Sequence, residues 1–235
     1  MLFKADHKLL RLSATLVLIG GVLVTLIVLF LHPEGGATEA ATFANFAASS
    51  DWFAIHLGQF VGTAAIMAGL LVLYFALDVS EGAMHWLGFF GAVSAGVAIA
   101  LAGVLFAVDG VGNKQAMDAW VSAPAVEQTA RFASAEAIRW VEMGIASYHE
   151  LMMGLAFVLF ALVIVVTARV NRGIGILMGL SGLAYLVVGW FTGTKGFTPA
   201  NNLPTDAAYL LLFASMIWLL IVAFRRKELV QLAAS

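Results

Sequence analysis

The chain has 235 residues, 62% of them hydrophobic and only 11% charged, with a mean hydropathy of +0.98. A soluble domain is about 45–50% apolar and about 25% charged, so this composition excludes a soluble globular protein and requires a bilayer as solvent. The absence of cysteine excludes disulfides, thiolate metal sites and a cysteine nucleophile, and a net charge of −2 without a basic block gives no footing for nucleic acid.

In chain order, a short basic lead (Lys4, Lys8, Arg11) precedes a first apolar run at about 12–31. It is longer than the apolar part of a signal peptide and ends in His32-Pro33-Glu34, so it reads as a retained span. Residues 35–51 are small and weakly amphipathic. Phe43, Phe46, Trp52 and Phe53 suggest a segment resting on the membrane interface, where aromatic rings are favoured. The second span is about 52–77. The polar turn from Asp78 to Gly82 is short enough to make it a hairpin with the third, at about 84–108. Residues 109–125 read as a polar loop, and Asp109-Gly110-Val111-Gly112-Asn113-Lys114 within it as a turn. That segment lacks the alternating carboxylates and closing glutamate of a calcium loop.

From Val126 the pattern changes. Val126, Ala130, Ala133, Ala137, Val141, Gly144 and Tyr148 repeat with the 3.6-residue period of a helix. Glu127, Arg131, Ser134, Glu142 and His149 fall on another stripe. An amphipathic interfacial helix is therefore expected at about 125–144. It lies along the membrane or rises above it, then continues or bends near Gly144 into a fourth span at about 146–168. Asn171-Arg172-Gly173 turns the chain into a fifth span at about 173–192, and a loop leads to a sixth at about 205–224, closed by Arg225-Arg226-Lys227. The expected fold is an all-α bundle of six transmembrane helices forming a single domain.

The positive-inside rule orients it. With both termini cytoplasmic, the inner side carries eight Lys and Arg and the outer side four: Lys114, Arg131, Arg139 and Lys195. Ten of the fourteen acidic residues fall outside, which leaves formal charges of −6 outside and +4 inside. The expected location is a bacterial cytoplasmic membrane.

Glycine, at 23 residues, recurs at Gly58/Gly62, Gly175/Gly179 and Gly189/Gly193, spacings that allow close helix packing. Gly96, Gly103 and Gly110 are echoed by Gly182, Gly189 and Gly196 at a constant offset, the trace of a possible two-hairpin repeat.

Three polar groupings could carry chemistry. His32, His56 and His149 are expected at similar depth near the outer ends of spans. Two such histidines on separate helices could hold a b-type haem, and His56 and His149 with Glu150 could hold a transition metal. Glu150, Glu142 and Asp109 lie near the outer boundary, where a carboxyl group can relay protons or bind a cation. Ser181, Tyr185 and Thr192 share one face of the fifth span and suit either helix packing or the lining of a groove. Against each stands the plainer reading that a boundary position tolerates polarity without further purpose. No nucleophile elbow, zinc-protease motif or intramembrane lysine is present.

The sequence thus favours a non-enzymatic accessory or scaffold subunit. Its glycine faces would pack against other membrane subunits, further copies of itself, lipids or pigments. The rivals are a haem- or metal-binding redox protein and a small proton-coupled transporter.

Overall fold

The computed structural model describes residues 5–232, with side chains to Phe224. Lys4, and the side chains of Arg225, Arg226 and Lys227 that served the orientation count, lie outside the described residues. The elements are α1 (His7–Phe30), α2 (Glu39–Ala48), α3 (Trp52–Leu77) and α4 (Gly82–Ala107), then a π-helical segment (Val108–Asn113) and α5 (Lys114–Val121). After these come α6 (Ala125–Thr167), α7 (Arg172–Lys195), a 3-10 turn (Pro199–Asn201) and α8 (Asn202–Leu232). There is no strand among the described residues. Six helices are long and apolar enough to cross a membrane, the number read from the sequence.

Local chemistry sets the ends. The Asp6 carboxylate caps α1 by accepting from the backbone N–H groups of Lys8 and Leu9. The Asn171 side chain caps α7 at Gly173, and Thr38 caps α2 at Ala41. The helices α3 and α6 close on the left-handed residues Asp78 and Ala168.

The long helices pack as a closed ring. Neighbours run α1–α3–α4–α6–α7–α8, and α8 returns against α1. The interior is one apolar core built around Leu10, Met67, Leu70, Leu73, Phe157, Phe160, Ile164, Met178 and Met216. Glycine lets the tightest crossings form. A Cβ on Gly154 would sit 2.7 Å from the Gly182 carbonyl oxygen, and one on Gly182 would meet the Gly154 oxygen at the same distance, so no larger residue fits the α6–α7 contact. Gly62 and Gly69 serve α3 against α1 in the same way. Of the three glycine pairs of the repeat only Gly110 and Gly196 both lie in close contacts: Gly182 and Gly189 are tightly packed, whereas Gly96 faces nothing and Gly103 only the edge of Phe60.

Two segments depart from their sequence reading, and a third follows one of its two expected courses. Residues 109–121 are not a loop: α4 runs on through the π segment into α5, giving a helical stretch from Gly82 to Val121. Asp109 and Asn113, two of the polar residues that suggested an exit from the helix, are turned inward, where they find partners, while Gln115 and Asp118 stay exposed. The helix expected at about 125–144 takes the first of its two expected courses and continues through Gly144 as α6, 43 residues or about 64 Å at the helical rise. The aromatics of α2 are not spread on an interface. Phe43 and Phe46 are buried with Trp52, Met117 and Ala135 in a second small core, which fastens α2 to α5 and α6. That core covers the end of the ring opposite the chain termini.

Candidate functional site

Beneath the second core lies a cluster of buried polar side chains from three elements. The π segment supplies Asp109 and Asn113, α3 supplies His56, and α6 supplies Arg139 and Glu142. A π-turn inserts an extra residue into the helix and so re-aims the side chains on either side of it. Here it follows α4, and both Asp109 and Asn113 are buried. Gly110 is required, because a Cβ there would stand 2.8 Å from the His56 Cβ.

The geometry fixes the proton inventory. His56 Nδ1 donates to the Trp52 carbonyl at 2.7 Å, since a carbonyl can only accept. Its Nε2 stands 2.9 Å from Asp109 Oδ2, within ion-pairing distance. Asp109 Oδ1 accepts from Asn113 Nδ2 at 3.1 Å, and the same amide nitrogen reaches Glu142 Oε2. Arg139 donates to both Glu142 oxygens, at 2.7 and 2.5 Å. The Trp52 indole N–H donates to the Asp109 carbonyl at 2.8 Å and locks α3 to the π segment. Arg139 is also stacked over Phe197, 4.6 Å from its ring centroid. Asn113 is 0%, His56 1% and Glu142 2% exposed, so this is a closed, charge-compensated network and not a solvated face.

His32 is drawn into its edge. Its ring centroid lies 5.4 Å from Trp52, 5.5 Å from His56 and 5.6 Å from Phe46, and Nδ1 donates to the Pro33 carbonyl at 2.9 Å. Burial holds His32 below the ordinary histidine pKa. His56 pushes the same way, against the Pro33 carbonyl. On α2, desolvation raises the Glu39 carboxyl, and the neighbouring Glu136 adds to the rise.

The third histidine is elsewhere. His149 is buried between α6 and α4 and donates from Nδ1 to the Ala98 carbonyl at 2.9 Å, a brace between two helices. Among the described residues no group of three or more histidine, aspartate and glutamate side chains is placed to hold a metal ion. The set His56, His149 and Glu150 is therefore not gathered as a metal site. A haem ligated by His56 would have to separate Nε2 from Asp109.

Glu150 forms a second centre. Asn201 Nδ2 donates to Thr192 Oγ1 at 2.9 Å, and the Thr192 hydroxyl is left to donate to Glu150. The other carboxylate oxygen, Oε2, is buried and has no partner among the described residues. Glu150 lines a cavity of about 560 Å³ with Gly35, Val188, Phe197, Thr198, Pro199, Asn201, Asn202 and Thr205. The paired hydroxyls of Tyr185 and Tyr209 lie within electrostatic reach of it. Thr192 and Tyr185 thus serve this centre, whereas Ser181, also on α7, ties that helix to α8 through the Ala208 carbonyl at 2.8 Å.

Of the candidates named from the sequence, the fold brings together His32, His56, Asp109 and Glu142, and places Glu150 and His149 apart from them. Asn113 and Arg139 complete the network and were not among those candidates. The spacing of four between Asp109 and Asn113, on a helix that never stops, is the signal that could have found the first. The spacing of three between Arg139 and Glu142 on α6 is the signal for the second.

Fold and site together define a six-helix bundle of membrane-spanning character, with ionisable groups buried at the end opposite its termini. No family model matches the chain, and comparison with curated proteins and with solved structures finds no match either.

Proposed function

We propose that this chain is a small, non-enzymatic, proton-coupled carrier of cations, with Glu150 as the group at which cation and proton compete. The observation that carries the reading is the cavity of about 560 Å³ that Glu150 lines. A dry, closed bundle at that point would have argued against any carrier. The exchange balances simply: the protonated carboxyl releases H⁺ as the ligand's positive charge takes its place beside the carboxylate. No lysine, arginine or histidine forms an ion pair with Glu150 among the described residues, so its charge is available to a ligand. The His56–Asp109–Asn113–Glu142 network, compensated within itself, anchors the helices that frame the cavity. Arg139 reaches the cavity wall through Phe197.

In an accessory subunit glycine faces would receive partners, and here Gly96 and Gly144 stay open. Gly20, Gly62, Gly69, Gly154, Gly175, Gly182 and Gly189 instead meet other helices of this same chain. The carrier sits in the bacterial cytoplasmic membrane with both termini inside, so that the Glu150 cavity opens outward.

The test uses proteoliposomes holding a trapped pH-sensitive dye, with the membrane potential clamped and tetramethylammonium added outside. The lumen should become alkaline with wild-type protein and stay unchanged with Glu150→Gln. Equal signals from the two proteins, or none from the wild type, would overturn the carrier.

A further inference from the structure

Thr205 forms part of the wall of the Glu150 cavity. The same residue borders a second depression of about 390 Å³ between α1 and α8, lined by Val24, Thr25, Val28, Leu29, Asp206, Tyr209, Leu210 and Phe213. The two differ in character. The first is lined by Glu150, whose Oε2 is buried without a partner among the described residues, together with residues that carry amide and hydroxyl groups. The second is walled by hydrocarbon and aromatic rings on the surface that faces lipid, and Leu29 and Leu210 are 68% and 70% exposed. The groove follows α8 from Thr205 to Phe213, roughly 12 Å at the helical rise, which is the reach of a medium-length alkyl chain.

We propose that cavity and groove are the two halves of one site for a single-chain amphiphile with a cationic head. The ammonium lies against Glu150, and the chain follows Val28, Leu29, Leu210 and Phe213. This rests on the reading of Glu150 as a cation-binding group and adds the substrate class. Three observations lead to it. The halves share Thr205 as a wall, so they lie side by side. Glu150 lies on one side of Thr205 and Asp206 on the other, so the junction is negative and disfavours an anionic head. Phe197 in the cavity and Tyr209 in the groove put aromatic faces beside the place of the charge, where a quaternary ammonium is well received. The groups around Glu150 are Thr192 and Tyr185 from α7, Tyr209 from α8, and Arg139 behind Phe197. His149, next to it in sequence, is turned to α4.

The experiment is equilibrium binding to the full-length protein in nanodiscs, with empty nanodiscs as the background for lipid partition. Decyltrimethylammonium should bind saturably, one per protein, at least about tenfold more tightly than tetramethylammonium, because the chain buries several methylenes. Decyl sulfate should bind protein discs no better than empty ones. Glu150→Gln should weaken decyltrimethylammonium at least about tenfold. Leu210→Trp, a change at an exposed position that the fold tolerates, should weaken it while leaving tetramethylammonium unchanged. Equal affinity for the two cations would overturn the two-part site while sparing the carrier. Tight binding of decyltrimethylammonium with no proton movement in liposomes would overturn the carrier while sparing the site. Saturable decyl sulfate binding would refute the charge assignment.

Discussion

Burial keeps His32 neutral in the folded chain, and that makes one side chain a source of pH dependence. Its pKa lies below the ordinary value of 6.5, chiefly through desolvation and then through the neighbouring His56. As pH falls through about 6.5 the unfolded chain takes up this proton before the folded one does, so stability is full above that pH and declines below it. Thermal unfolding in mild detergent should show a melting temperature that drops between about pH 7.5 and about pH 5.5, with a smaller drop for His32→Gln. An identical pH slope in the two proteins would rule His32 out. Glu39 has the opposite sign and a different window. Its raised carboxyl pKa contributes stability below about pH 4.5, lost as pH rises through the folded value. The other lesson at this scale is Asn113. Two buried carboxylates, Asp109 and Glu142, share its amide nitrogen, while His56 and Arg139 compensate their charge. Leaving one member of such a buried pair without its partner costs roughly 3–5 kcal/mol, which is why none of the four is placed alone.

Among the helices, the glycines separate into those that permit a contact and those that do not. At Gly182 a Cβ would meet the Gly154 oxygen at 2.7 Å and the Phe157 Cβ at 2.9 Å, and neither backbone can yield without parting α6 from α7. At Gly96 nothing lies within 4 Å. Gly182→Ala should therefore destabilise the bundle by about 2 kcal/mol through overpacking, whereas Gly96→Ala should stabilise it by about 0.5–1 kcal/mol through helix propensity. Denaturation of both variants in the same detergent decides this, and equal effects would mean that the α6–α7 crossing is looser than described. The π segment belongs to this scale as well. It turns the run from Gly82 to Val121 into one helical rod and sets Asp109 and Asn113 toward α3 and α6. The rod and α6 carry the second core, so the network is capped by Phe43, Phe46 and Trp52 and kept from water.

The whole molecule is polarised along its long axis. Glu150 lines the cavity at the end away from the termini. A cavity of about 500 Å³ at the other end is lined by His7, Arg169, Asn171 and Arg172. This matches the excess of Lys and Arg on the side of the termini, and it predicts the sidedness of labelling. Because the chain has no cysteine, single cysteines report position without background. Ser122→Cys, exposed between α5 and α6, should react with a membrane-impermeant maleimide added to intact cells. Ser80→Cys, exposed in the α3–α4 turn, should react only after the membrane is opened. The reverse pattern would invert the orientation and place the Glu150 cavity on the cytoplasmic side.

The sequence by itself determined the class of this protein and the number of its long apolar helices. Both follow from local quantities, the length of each uncharged run and the charges between runs, which act residue by residue through the cost of transfer from water to hydrocarbon. The same reasoning misread residues 109–121 as a loop. Hydropathy assigns Asp109, Asn113 and Lys114 their cost as isolated groups, and an isolated aspartate does leave the apolar phase. Only the tertiary structure supplied the partners that remove that cost: His56 and Trp52 on α3, Arg139 and Glu142 on α6. It also parted His149 from His56, which the sequence had set at one depth, because depth along a helix says nothing about which way a side chain faces around the ring. Closing α8 onto α1 was likewise a tertiary decision. The groove and the cavity joined at Thr205 exist because two segments at opposite ends of the chain come to lie side by side.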